Sequence, residues 1–77
     1  MATEKLVYMA NQIAKFFAHE GPDHASASIA DHIKKFWAPR MRADIIKHLN
    51  SGGGGLDDNV RAAVTLLANQ EAAPKVL

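Results

Sequence analysis

Apolar side chains recur along this chain at the three- and four-residue spacing of amphipathic helices, and no segment reads as a strand. The first pattern begins near Thr3, a fair N-cap, and stops before Gly21-Pro22, a pair that breaks helices. Its apolar stripe consists of Leu6, Ala10, Ile13 and Phe17, flanked by Met9, Ala14 and Phe16. This spacing predicts a first helix with one buried face.

Two further helical patterns meet at Trp37-Ala38-Pro39, in the middle of the chain. The second helix is expected to begin between Asp23 and Ser26, and its predicted buried face holds Ile29, Ile33, Phe36 and Trp37. Because the residue before a proline avoids the helical region, this helix should end by Ala38. Pro39 suits the first position of a third helix. The apolar stripe of that helix is Met41, Ile45 and Leu49, with Ile46 beside it.

Four consecutive glycines at 52–55 separate the third helix from a fourth. Since glycine permits almost any backbone dihedral, the run predicts a flexible joint. The fourth helix is expected to start at Asp57 or Asp58, with Val60, Ala63, Val64 and Leu67 on its buried face. The sequence therefore predicts an all-α fold, a small compact bundle of about four short helices. Residues 1–70 form the single predicted domain, and residues 71–77, with Pro74, the predicted flexible C-terminal tail.

Length and composition set further limits. At 77 residues the chain is near the lower limit for a stable core without covalent or metal staples, so a larger partner could complete it. The sequence contains no cysteine, which excludes disulfides and thiolate metal sites. No segment approaches the roughly 20 apolar residues of a membrane span, and the first residues lack the apolar run of a signal peptide. We therefore expect a cytoplasmic protein.

Positive charge concentrates in the central third of the chain, although the net charge is only +1. The cations there are Lys34, Lys35, Arg40, Arg42 and Lys47, diluted by Asp31 and Asp44. Such a central basic stripe can meet nucleic acid or an acidic protein surface, and it can equally be a solvated helix face.

No pattern in the sequence supports catalysis. The glycine run lacks the Lys-Ser/Thr of a phosphate-binding loop, and Asp57 and Asp58 place negative charge where an anion would bind. The histidines at 19, 24, 32 and 48 include no i, i+4 pair that would aim two imidazoles at one metal. We therefore expect no catalytic, cofactor-binding or metal-binding residues, and a protein that is not an enzyme and works by contact.

Helical projection singles out candidate contact residues. Tyr8 falls on the polar face of the first helix, as an interface residue or a harmless exposed tyrosine. Trp37 lies at the edge of its stripe, so it belongs to the core or also contacts a partner. Arg42 projects into an apolar arc, where it snorkels, finds a carboxylate or meets a partner, and Arg40 lies on the opposite side. We expect the partner-binding residues to be Tyr8, Trp37, Pro39, Arg40, Met41 and Arg42.

Three blocks of this sequence resemble the delta subunit of soluble NAD-dependent formate dehydrogenase. They are LVYMANQIAKFF at 6–17, IADHIKKFWAPRMR at 29–42 and GGGGLDDNVRAAVTLL at 52–67, and together they cover most of the chain. The specific part is Phe36-Trp37-x-Pro39-Arg40-Met41-Arg42, supported by Met9-Ala10-Asn11-x-Ile13. Proline often follows the Leu-Asp of the third block in that family, where this chain has Asp58. Both residues suit a helix start.

The resemblance implies a small non-catalytic subunit of a cytoplasmic complex, which binds the alpha subunit and supports its assembly, stability or cofactor insertion. It also implies an alpha subunit with iron–sulfur clusters and bis-molybdopterin guanine dinucleotide carrying molybdenum or tungsten, and beta and gamma subunits that carry FMN and further clusters to NAD. None of these cofactors is expected to have ligands in this chain, and without cysteine the chain cannot hold a conventional iron–sulfur cluster. The alternative is a small helical nucleic-acid-binding or regulatory module that uses the basic stripe. The acidic flanks and the near-neutral net charge count against that alternative, so we expect no nucleic acid among the partners. Because no segment is long and apolar enough for a span, we expect no membrane partner either.

Overall fold

A computed structural model describes residues 2–72, which fold into four α-helices and one short 3₁₀ turn. The helices are α1 (Thr3–Phe17), α2 (Pro22–Phe36), α3 (Pro39–Asn50) and α4 (Asp58–Ala72), and the 3₁₀ turn is Ala18–Glu20. Residues 2–72 contain no strand. The all-α class and the set of helices predicted from the sequence are confirmed. Over the same residues, no helix combines the length and the apolar character needed to cross a membrane.

Prolines set the starts of the two central helices. Pro22 and Pro39 occupy the first positions of α2 and α3, where the missing N–H would have no partner in the helix. Gly21 precedes Pro22 with φ of 86° and ψ of 159°, a positive-φ conformation that glycine adopts without steric cost. Ala38 precedes Pro39 in an extended conformation, φ −64° and ψ 152°, as the steric effect of the proline requires.

One cluster of buried side chains joins the four helices, and the pair α2 and α4 has the most extensive contact. The residues with no exposed surface include the whole predicted face of α4, namely Val60, Ala63, Val64 and Leu67. The other helices add Leu6, Ala10, Ala14, Ala25, Ile29, Ala30, Ile33 and Ile45 to the buried core. Full burial of each large aliphatic side chain stabilises the fold by about 1.5–3 kcal/mol. This core therefore holds α1 and α3 against the central pair.

The two aromatic residues at the end of α2 differ from the burial that helical periodicity predicts for them. Phe36, expected on the buried face, is 72% exposed, whereas Trp37, expected at its edge, is 5% exposed. The prediction for Phe36 is wrong because it assumed that the helix continues through residue 37. Instead α2 ends at Phe36, and Trp37 has the extended dihedrals φ −88° and ψ 141°. This change of direction places the indole in the core.

The C-terminal helix runs past the predicted domain boundary at residue 70. Glu71 and Ala72 belong to α4, and the Glu71 carboxylate accepts a hydrogen bond from Arg42. Residues 73–77, which include Pro74 and most of the predicted tail, lie outside the described residues, as does Met1.

The burial of neighbouring rings leads to a first prediction. Trp37→Ala should lower the free energy of unfolding by about 3–5 kcal/mol, because it leaves a cavity in a small core. Phe36→Ala is the matched control, since its ring is 72% exposed, and it should change stability by less than about 0.5 kcal/mol. Urea unfolding of the isolated variants, followed by circular dichroism, measures both changes. Equal destabilisation by the two substitutions would contradict the burial pattern.

Candidate functional site

Five of the six predicted partner-binding residues lie at the corner between α2 and α3, residues 37–42, which we call the α2–α3 corner. Pro39 and Arg40 are exposed there, Met41 and Arg42 are half-buried, and Trp37 is buried. Tyr8, the sixth, lies on α1 with its side chain 64% exposed. Of the six, Tyr8, Pro39 and Arg40 therefore present the most surface to a partner, and their contacts with one stay a prediction.

Arg42 makes contacts inside the chain that account for its place beside apolar residues. Its Nη1 donates to the backbone carbonyl of Trp37 at 2.8 Å and of Lys34 at 3.4 Å. Its Nε donates to Oε2 of Glu71 at 2.7 Å, in an ion pair whose side chains are 20% and 35% exposed. The guanidinium thus satisfies carbonyls at the end of α2, where the helix dipole also favours a cation. Of the three environments that the sequence left open for Arg42, the structure shows the carboxylate partner, Glu71.

The central cations are engaged in different ways. Lys35 Nζ lies 3.1 Å from Oδ2 of Asp31, one helical turn earlier, and both side chains are more than half exposed. Such a surface pair contributes at most about 0.5 kcal/mol. Arg42 is tied to Glu71, while Lys34 and Arg40 are exposed. The cations therefore differ in how much of their charge faces outward.

The glycine run at 52–55, which the sequence predicted as a flexible joint, is a hydrogen-bonded loop in the structure. Arg61, one turn into α4, donates from Nη1 to the Gly52 carbonyl at 3.2 Å and from Nη2 to the Gly53 carbonyl at 2.8 Å. Gly53 has φ of 65°, and a Cβ there would lie 2.8 Å from Nη1 of Arg61. Glycine at this position thus allows the guanidinium to approach the backbone closely.

Side chains from two other helices hold the second half of the loop. The Nε2–H of His48, near the end of α3, donates to the Gly54 carbonyl at 2.7 Å. Asn11 of α1 donates from Nδ2 to the Gly55 carbonyl at 2.9 Å, and its Oδ1 accepts from the backbone N–H of Asp57 at 3.1 Å. When the Arg61 contacts are included, each of the four carbonyls at 52–55 accepts a side-chain hydrogen bond. The loop is thereby fixed to α1, α3 and α4.

The structure also reveals an exposed aromatic surface that the sequence prediction missed. We call the rings of Phe16, Phe17, His32 and Phe36 the aromatic surface. Successive ring centroids lie 5.0, 6.3 and 4.7 Å apart in that order along α1 and α2. A sequence signal for it exists: two adjacent aromatics on a helix point about 100° apart, so Phe16 and Phe17 do not both enter one core.

The described residues bring together no group of three or more histidine, aspartate or glutamate side chains that could hold a metal ion. His19 and His24 are exposed, while His32 and His48 are half-buried, within the aromatic surface and against the glycine loop respectively.

The contacts of Arg61 lead to a second prediction. Arg61→Met keeps most of the side-chain volume but leaves the carbonyls of Gly52 and Gly53 without these donors. Because the exposed Gly52 carbonyl can bond water instead, the change should destabilise the chain by about 0.5–1.5 kcal/mol. Backbone order parameters of residues 52–55 should be about 0.85 in the parent chain and should fall in the variant. The control Arg40→Met removes an exposed guanidinium and should change neither quantity. Low order parameters in the parent loop would contradict the contacts.

Comparison with known proteins assigns this chain to a family. The sequence matches the family described as NADH-dependant formate dehydrogenase delta subunit FdsD over residues 5–64. No curated protein and no solved structure gives a match. The matched range contains α2, α3, the glycine loop and Arg61, together with most of α1. Since the match covers most of the chain, it confirms the resemblance in the three sequence blocks, and this protein belongs to the family of formate dehydrogenase delta subunits.

Proposed function

We propose that this protein is a non-catalytic subunit of a cytoplasmic NADH-dependent formate dehydrogenase, that it binds the alpha subunit, and that it supports assembly, stability or cofactor insertion there. The observation that carries the proposal is the family match over residues 5–64. The exposed rings and cations at Tyr8, Arg40 and the aromatic surface support a role in contact. Aromatic and arginine side chains are the residues that most often anchor protein interfaces.

The redox cofactors belong, in this proposal, to the other subunits. Conventional iron–sulfur clusters are held by cysteine thiolates, and this chain has no cysteine, so its residues do not fit such a cluster. Bis-molybdopterin guanine dinucleotide with molybdenum or tungsten, and further clusters, would lie in the alpha subunit. FMN and the NAD site would lie with the beta and gamma subunits. This subunit then affects the chemistry only through the conformation of its partner.

A small subunit can act on a larger one by linkage. If it binds the cofactor-loaded conformation more tightly than the open one, it shifts the equilibrium towards the loaded state. At a concentration 100-fold above Kd, such binding stabilises the bound state by about 2.7 kcal/mol. The contacts that hold the glycine loop and the α2–α3 corner suit this role, because a pre-organised surface loses less conformational entropy on binding.

Deletion of this subunit tests the role in maturation. Loss of the chain should lower formate oxidation more than it lowers the amount of alpha subunit. The molybdenum or tungsten and pterin content per alpha subunit should fall in parallel, because the loaded conformation is no longer favoured. Metal analysis and pterin fluorescence of the purified enzyme measure these contents. Full cofactor occupancy with lost activity would argue against a role in insertion and for one in subunit docking.

Arg40 tests the α2–α3 corner as an interface. If its guanidinium enters a desolvated contact with the alpha subunit, Arg40→Ala should weaken binding by about 2 kcal/mol or more. The substitution should leave the stability of the isolated chain almost unchanged, because the side chain is exposed. Lys47→Ala, at an exposed cation of α3, is the control. Affinity for the alpha subunit equal to that of the parent would remove Arg40 from the interface.

A further inference from the structure

Gly54 is the one glycine of the loop at 52–55 whose identity the chain's own conformation does not require. The other three have positive φ angles, of 121°, 65° and 83°, which residues with a side chain rarely adopt. The φ of Gly54 is not positive, a Cβ built there would meet nothing within 4 Å, and the residue is exposed. An alanine would therefore fit this position of the chain. A glycine here leaves space for another molecule to approach the backbone closely.

The same part of the loop holds backbone donors that the chain itself does not use. The N–H groups of Gly52 and Gly53 donate to carbonyls at the end of α3, at 3.1 and 2.9 Å. Within residues 2–72, the N–H groups of Gly54 and Gly55 donate to no acceptor of the chain, and both residues are exposed. The loop carbonyls, by contrast, all accept side-chain hydrogen bonds. A partner that covers this part of the loop must supply acceptors, because an unpaired buried donor is costly.

The two residues with unused donors line a groove between the loop, α1 and the end of α3. Its volume is about 440 Å³, and its lining residues are Thr3, Glu4, Val7, His48, Gly54 and Gly55. Val7 is half-buried and packs against the core, and a Cβ at Gly55 would lie 3.4 Å from its Cγ1. The groove thus combines an apolar side chain with glycine backbone. The side chains of Asn11, His48 and Arg61 hold that backbone in place.

The charges at the groove indicate which acceptor suits it. Glu4 lines the groove, Asp57 and Asp58 follow the loop, and all three are exposed. None of them takes part in an ion pair within residues 2–72. The nearby cations Lys5 and Arg61 do not line the groove, and Arg61 donates to loop carbonyls. A carboxylate or phosphate in the groove would meet the negative charge of Glu4, whereas an uncharged peptide carbonyl would not.

From the space at Gly54, the two unused donors and the charge of the groove, we infer that the glycine loop binds an extended segment of the alpha subunit. Backbone carbonyls of that segment accept from the N–H groups of Gly54 and Gly55. Main-chain hydrogen bonds of this kind give extended peptides their affinity for exposed backbone groups. The inference rests on the proposed function, because it takes the alpha subunit as the partner. None of the six partner-binding residues predicted from the sequence belongs to this loop.

Substitution of Gly54 tests the space beside it. Gly54→Ala should not lower the thermal unfolding temperature of the full chain, since neither the backbone angle nor a neighbour opposes the new methyl group. The same change should raise the Kd for the assembly of alpha, beta and gamma subunits at least about 10-fold, because the partner's carbonyls no longer reach the donors. Ala27→Gln adds bulk at an exposed position of α2 outside the groove and is the control. A Kd unchanged by Gly54→Ala, or raised equally by Ala27→Gln, would overturn the inference.

Hydrogen–deuterium exchange, read residue by residue, tests the donors without any substitution. In the free chain, the amides of Gly54 and Gly55 should exchange faster than that of Gly53, which is buried and hydrogen-bonded. In the complex with the alpha, beta and gamma subunits, exchange at both amides should slow at least about 10-fold, because each then donates to a partner carbonyl. Exchange that stays fast at both amides once the complex has formed would contradict the inference.

Photo-crosslinking identifies the occupant of the groove. p-Benzoylphenylalanine replaces Thr3, an exposed residue of the groove, in cells that lack the native chain and express the other three subunits. We expect a crosslink to an alpha-subunit peptide. A crosslink only to a second copy of this chain, only to the beta or gamma subunit, or to no protein would refute the inference. Co-purification of the alpha subunit with the parent chain is scored separately. If the parent chain does not bind the alpha subunit, the proposed function fails, whereas equal binding by the parent and Gly54→Ala removes only this inference.

Discussion

The burial of α4 against α2 is the interaction on which the rest of this structure depends. The buried face of α4, from Val60 to Leu67, and Ile29 and Ile33 of α2 have no exposed surface. In a chain of 77 residues without cysteine, neither a disulfide nor a thiolate-bound metal adds to this term. Removal of apolar surface from water is therefore the main force that holds the helices together, and α1 and α3 pack onto the central pair.

Hydrogen bonds and an ion pair hold α4 at both of its ends. Near its start, Arg61 binds the glycine loop, which His48 and Asn11 attach to α3 and α1. Near its end, Glu71 binds Arg42 at the α2–α3 corner, where the same guanidinium also satisfies carbonyls of α2. The apolar core supplies most of the stabilisation, whereas these directional contacts specify how the loop and the corner are placed. A subunit that acts by binding one state of its partner benefits from such a defined shape.

The end of α2 connects the core with the aromatic surface. Because the helix ends at Phe36, the extended backbone of Trp37 carries the indole into the core and leaves the phenylalanine ring beside His32. Pro39 two residues later prevents the helix from continuing, so a local steric effect decides which ring is buried and which is exposed. Burial and exposure are thus divided between two consecutive residues.

The sequence by itself determined the helices, because periodicity, proline and helix caps act over only a few residues. The start at Pro39 and the whole buried face of α4 followed from it, as did the exposure of Tyr8 and Arg40, whereas α2 begins at Pro22, before the expected range of Asp23 to Ser26. Only the tertiary structure decided what the glycine run does, because Asn11 lies 44 residues from the Gly55 carbonyl that it binds. The tertiary structure also pairs Arg42 with Glu71, which lies 29 residues away. It places Phe16 and Phe36 in one aromatic surface. Such long-range contacts form where whole helices pack, and local patterns do not specify them.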